Sequence, residues 1–245
     1  MMKYIKTLSA KKKAIQLFQK SISFLLVLCL LSSCAVKRDN LKIDDSVFTK
    51  PSTVVITQIY GLERPAYYTD PGNSGLIGAF LADIIQNDDA AQEVREINSS
   101  SIVEKYYYNA FKKGFENKNF NVRISETPFK KRKLIGKNRD AKKAPWDFKF
   151  LKTLHNAQYA LVLSPQYFGV HAYTGLWVDP RAETRLNLYL VNLDDNTLVG
   201  CYNAYITSPV SNWKTPPDYD TLTTAVKNSL IMALRNALAF FFEES

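Results

Sequence analysis

Cysteine and histidine, the residues best suited to nucleophilic or metal chemistry at neutral pH, are scarce in this chain. Its 245 residues hold three cysteines, Cys29, Cys34 and Cys201, and two histidines, His155 and His171. A cysteine nucleophile needs a base beside it and surroundings that favour the thiolate, so only those two imidazoles are available for the part. Cys201 sits in Leu198-Val199-Gly200-Cys201-Tyr202, an apolar run of strand character, which predicts a buried and inert thiol. The sequence has no zinc-type Cys/His spacing, no H-E-x-x-H and no G-x-S-x-G. Neither a metal nor a bound cofactor is expected.

Carboxylates offer little more. Asp179 and Glu183 flank Pro180 and Arg181, and hydrolysis of a glycoside would require two carboxyl groups at a defined separation. An envelope hydrolase is therefore the third functional reading, and an enzyme has no positive support. Asp88, Asp89, Glu93 and Glu96 read as a solvated helical face. Gly72-Asn73-Ser74-Gly75-Leu76-Ile77-Gly78 opens a helix after a strand, as phosphate-binding loops do. Its G-x-x-G-x-x-G spacing matches neither the dinucleotide fingerprint nor the P-loop, so a tight turn at Asp70-Pro71-Gly72 and close helix packing are the simpler expectation. Tyr67-Tyr68-Thr69, just upstream, read as ordinary strand aromatics or as the rim of a pocket.

The strongest signal is at the start. A lysine-bearing leader is followed by the apolar run Ile22 to Leu31 and then by Leu31-Ser32-Ser33-Cys34. That run is about half the roughly 20 apolar residues a membrane span needs, so residues 1–33 read as a cleaved export signal. Leu31-Ser32-Ser33-Cys34 resembles the lipobox of bacterial lipoproteins. The resemblance implies cleavage before Cys34, a diacylglycerol on its sulfur and an acyl group such as palmitate on the new amino terminus. It also implies a membrane partner through that lipid. Ala35 stands where an aspartate would resemble the inner-membrane retention signal, which implies the periplasmic face of an outer membrane. Residues 34–52 (Lys37, Arg38, Asp39, Asn40, Lys42, Asp44, Asp45, ending at Pro51) read as a flexible spacer, and residues 53–245 as one domain.

Export changes the charge balance. The formal charge of +9 includes six leader lysines and no leader acid, so the mature chain carries +3. Positive charge is concentrated in Lys130, Lys131, Arg132, Lys133, Lys137, Arg139, Lys142 and Lys143, opposed within that stretch only by Asp140. The stretch is +7 and the remainder of the mature chain −4. An exported, anchored protein does not meet nucleic acid, so the expected partners are lipid headgroups, an anionic glycan or an acidic protein surface. A solvated, flexible loop is the competing reading of the same charges. The three tryptophans fall in proline-marked loops, at Trp146, Trp177 and Trp213. Such indoles either close the core beneath a loop or offer an apolar face to a sugar or protein. Trp146, beside the basic stretch, joins it as a candidate partner or anion site.

About 190 residues after the spacer are enough to bury roughly 70% of the unfolded surface. Thr53–Tyr60 reads as a buried strand. A helix from Ser74 would place Leu76, Ile77, Phe80, Leu81, Ile84 and Ile85 on one face. A second, from Ser101 with Glu104 as capping partner, leads into a strand at 120–125, and a short helix near 147–154 follows the basic stretch. Strands are expected at 158–164, 166–173, 183–193 and 197–207, with Asp194-Asp195-Asn196 as a turn. A long helix over 220–242 repeats Leu222, Val226, Leu230, Leu234 and Leu238 every fourth residue; its Phe240-Phe241-Phe242 end reads as core, a lid or a membrane-dipping tip. The predicted class is α/β (α+β), a single domain with a mixed sheet, helices mainly on one face and a long C-terminal helix. This order, with the lipobox, resembles bacterial envelope lipoproteins whose α/β domain is like the amino-terminal domain of TolB. The resemblance implies a structural or accessory component of a cell-envelope assembly, with an envelope protein partner. A ligand-binding lipoprotein for an anionic glycan or lipid is the alternative.

Overall fold

The structure is a computed structural model that describes residues 38–70, 88–125, 127–131, 134, 136, 138–173, 180–210 and 219–243. Strand β1 (Ser52–Gln58) and strand β2 (Ala66–Asp70) are followed by helix α1 (Asp88–Arg95). Helix α2 (Ser99–Val103) runs through a π-helical stretch, Glu104–Asn109, into α3 (Ala110–Glu116). Strand β3 (Phe120–Ile124), helix α4 (Phe150–His155), strands β4 (Tyr159–Tyr173), β5 (Arg181–Asn192) and β6 (Leu198–Pro209), and helix α5 (Asp220–Phe242) complete the described elements.

Six strands form one mixed sheet in the order β3-β1-β4-β5-β6, with β2 joined to β4. Strand β1 is parallel to both β3 and β4, and β4-β5-β6 is an antiparallel meander. The run Val54-Val55-Ile56 is fully buried, as a central parallel strand covered on both faces requires. Val54 and Ile56 face the helices, whereas Val55 faces the opposite layer. Strand β5 divides the same way: Leu186, Leu188 and Leu190 meet the helices, and Tyr189 and Val191 point to the other side. The architecture is thus the expected α/β domain, with α1, α2, α3 and α5 on one face and a thinner layer on the other.

Helix α5 lays Leu222, Val226, Leu230, Ala233, Leu234 and Ala237 along the sheet, all fully buried. Its Phe end is core: Phe241 is buried, and the ring of Phe242 stands edge-on to Phe115 with centroids 4.9 Å apart. In the π-helical stretch, the fully buried Tyr107 hydroxyl hydrogen-bonds the carbonyls of Thr57 (2.7 Å) and Leu161 (3.0 Å). That contact ties the helical layer to two adjacent strands. On the far face, Ala144, Phe148 and Leu151 cover Val55, Ile59, Ala160, Val162 and Cys201.

Several expectations are corrected. Helix α2 begins at Ser99, and its N-cap is Asn98, three residues before the expected Ser101; the Asn98 side chain accepts from the Ser101 amide at 3.3 Å. The two strands expected on either side of Pro165 are one, β4, whose register shifts between Pro165 and Tyr167. A bulge tolerates a residue that cannot donate to the ladder. The solvated acidic face, by contrast, is as expected: Glu93 on α1 and Glu96 just beyond it are exposed, while the helix buries Ala90, Ala91 and Val94. The spacer also ends early. From Arg38 onward the chain is docked: Leu41 exchanges backbone bonds with Cys201 at 2.7 and 2.9 Å, and Ile43, Val47 and Phe48 pack on the core. The expected helix from Ser74 lies outside the described residues, as do the 72–78 glycines, residues 1–37 with Cys34, and Asp179, Trp177 and Trp213.

Candidate functional site

The basic segment and Trp146 share a surface, and local chemistry explains how. The turn after β5 ends in Asn196, which adopts the left-handed conformation at φ 64° that asparagine tolerates better than most residues. Its buried side chain accepts from the Phe148 amide at 3.0 Å and donates to the Trp146 carbonyl at 2.9 Å; its own carbonyl accepts from the Ala144 amide. One residue therefore staples residues 144–148 to the sheet. The half-buried Trp146 ring stands edge-on to Phe148, and the Lys131 ammonium lies 5.2 Å from its centroid. This is cation–π distance. Trp146 thus packs on the core beneath its loop and keeps part of its surface open.

Arg38 fixes the other end. Its guanidinium donates to the carbonyls of Lys143 (2.9 Å), Asn138 (2.9 Å) and Asp140 (3.3 Å), and the Leu198 amide bonds to the Lys142 carbonyl at 2.9 Å. Three carbonyls of residues 138–143 thus converge on one planar cation, a geometry the guanidinium fork suits. Lys130, Lys131, Arg139 and Lys142 project into solvent, while Lys143 is half-buried. Arg132, Lys133 and Lys137 lie outside the described residues. Within 138–143 the backbone of Asn138, Asp140, Lys142 and Lys143 is hydrogen-bonded to protein.

A second cluster, not anticipated from the sequence, lies on the open end of the same sheet face. In register across β4, β5 and β6 stand Tyr167, Arg185 and Tyr205. The Arg185 guanidinium lies 4.7 Å from the Tyr205 ring centroid, and its Nε is 2.5 Å from the Glu183 carboxylate. Glu183 is 5% exposed, and its other oxygen faces His171 Nδ1 at 3.8 Å. Desolvation draws the Arg185 pKa down, but the Glu183 charge outweighs it and holds the group above its ordinary value. Burial, reinforced by Glu183, likewise raises Tyr167 above the phenol range. Glu183 thus sits between the Arg185 guanidinium and the His171 imidazole on one sheet face. The alternation Glu183, Arg185, Asn187 against Ala182, Thr184, Leu186 was the signal that could have found this row.

The nucleophile reading is excluded for Cys201. Its thiol is 1% exposed, and burial pushes it up to about 11. In register it lies opposite Tyr189 and, beyond that, Val162; His171 is nine residues further along β4, about 30 Å away at strand spacing.

No protein-family model matches the sequence, and no curated protein is similar to it in sequence. Solved structures of similar chain path include protein XCC0632 from Xanthomonas campestris, of the DUF330 family model, with 11% identity and a TM-score of 0.41 over 83% of this chain and 89% of that one. The PelC dodecamer from Paraburkholderia phytofirmans shares 11% identity at a TM-score of 0.37, covering 83% of this chain and 95% of that one. Lipoprotein GNA1162 from Neisseria meningitidis shares 12% identity at a TM-score of 0.29, covering 74% and 98%.

Proposed function

We propose that this chain is a lipid-anchored protein of the bacterial cell envelope, held by acylated Cys34 on the periplasmic face of an outer membrane, where it serves as a structural or accessory component of an assembly. The observation that carries the proposal is Leu31-Ser32-Ser33-Cys34 behind a short apolar run. A diacylglycerol and an N-acyl chain together hold far more firmly than one chain, because each buried methylene contributes about 0.8 kcal/mol. Among the described residues no helix is long and apolar enough to cross a membrane. Kinship with the TolB amino-terminal group rests on element order.

A second reading, binding of an anionic glycan or lipid, is favoured by one observation: the Lys131 ammonium stacked on Trp146 beside exposed Lys130, Arg139 and Lys142. Both readings are tested by affinity purification of the tagged, lipidated protein from detergent-solubilised membranes, with a Cys34→Ala control. A stoichiometric protein partner that is lost in the control supports the assembly component. Recovery of the protein alone overturns that reading in favour of the ligand binder.

A further inference from the structure

The position of Arg38 ties the basic segment to the anchor. Arg38 is four residues from Cys34 in the sequence, and four residues of fully extended chain span at most about 14 Å. Its guanidinium sits on the carbonyls of Lys143, Asn138 and Asp140, inside the basic segment. The anchored sulfur and this surface are therefore neighbours by covalent reach alone, whatever path residues 34–37 take.

We infer that the exposed cations of this segment, Lys130, Lys131, Arg139 and Lys142, are a second membrane contact, and that they bind the anionic phospholipid headgroups of the bilayer that holds the Cys34 lipid. The inference rests on acylation of Cys34. Charge complementarity supports it, because the segment is +7 while the rest of the mature chain is −4. An anionic surface attracts juxtamembrane lysines and arginines within about one Debye length, about 8–10 Å at physiological salt. A leash of at most about 14 Å lets the segment reach that range, whereas the acidic remainder is repelled from it. The lipid alone would leave the domain free to tumble; the two contacts together fix its orientation. The basic layer, which includes α4, then faces the bilayer, and α1, α2, α3 and α5 face away, since they and this layer cover opposite faces of the sheet. Docked residues 38–41 are part of the same device, because a free spacer over the whole of 34–52 would let the segment leave the surface.

The test is lysine acetylation footprinting of the acylated protein, purified from membranes and reconstituted into vesicles of phosphatidylcholine alone or of phosphatidylcholine with phosphatidylglycerol. Modification is read by mass spectrometry at Lys130, Lys131 and Lys142, with half-exposed Lys112 on α3 and exposed Lys227 on α5 as references. Expected is about threefold slower acetylation of the three basic-segment lysines with phosphatidylglycerol, abolished by high salt, and no change at Lys112 or Lys227. Equal rates in the two vesicles, or protection of the helix-side lysines, overturn the inference. Protection by soluble inorganic phosphate equal to that by phosphatidylglycerol also overturns it, because the site would then take free anions. The mass of the Cys34 peptide, read in the same sample, separates the two claims. An acylated Cys34 without protection sinks only the headgroup contact, whereas an unmodified Cys34 sinks the anchor and this inference together.

Discussion

The hydroxyls of Thr184 and Ser229 lie 2.7 Å apart in the buried seam between β5 and α5. Ser229 also donates to its own helix at the Val226 carbonyl, 2.8 Å away, so one hydroxyl serves both the helix and the sheet. The contact fixes the height of α5 over the sheet in a seam otherwise filled by leucine and alanine. Thr184→Val is expected to cost about 1 kcal/mol, the usual worth of one such bond. Adding Ser229→Ala should cost less than the two single changes summed, because the pair is then removed together. Urea unfolding of the three variants measures this directly.

Gly169 is required by the approach of β2. Its φ is +148°, and a Cβ added there would fall 1.8 Å from the Ala66 carbonyl oxygen. Gly169→Ala is therefore expected to detach β2 from β4 and to destabilise the domain by at least about 3 kcal/mol, combining a steric clash with backbone strain. Limited proteolysis should cut near residues 66–70 in the variant and not in the parent.

Removing the Arg38 side chain should loosen residues 138–143 selectively. Arg38→Ala loses three hydrogen bonds from a cation, with an expected cost of about 1–2 kcal/mol. Hydrogen exchange should quicken at the Leu41, Leu198 and Ala144 amides and stay unchanged in α5. Arg38→Lys should recover only part of the loss, since an ammonium cannot match the planar fork.

The buried thiol predicts alkaline behaviour. Burial raises Cys201 from 9.0 to about 11, so the folded protein keeps a proton that the unfolded chain gives up. The stabilisation from holding the thiol neutral is fully present below about pH 9 and is lost as pH rises through about 11. Cys201→Ala should flatten the fall in stability over that window relative to the parent. Folded parent protein should react with a thiol reagent at pH 8 only as fast as it opens.

What could be read from the sequence and what could not divide along local and long-range physics. Helix α5 was legible to the residue, Asp220–Phe242, because a fourfold leucine repeat is a local pattern. The turn at Asp194-Asp195-Asn196 was legible for the same reason. The π-helical stretch at Glu104–Asn109 left no mark in residue type. The docking of Arg38 joins residues about a hundred positions apart, and a polar segment that packs through backbone carbonyls looks like a spacer. Pro165 read as a strand break because its missing N–H is a local fact, while the bulge that accommodates it depends on β5. The Glu183-Arg185-Tyr205 row was hidden because its members come from two strands whose register no single segment reveals. Of the candidate site, the grouping of Trp146 with the basic stretch followed from closeness in sequence; the choice of Lys131 as its cation and the staple that presents it, Asn196, did not.

The measurement that tests the anchor most directly is mass spectrometry of the amino-terminal peptide of the protein recovered from membranes. A peptide that begins at Cys34 and carries the mass of a diacylglycerol with an N-acyl group is the expected result. A peptide that retains residues ahead of Cys34, or that begins at an unmodified Cys34, would contradict the lipid-anchored envelope protein and every functional conclusion drawn from it.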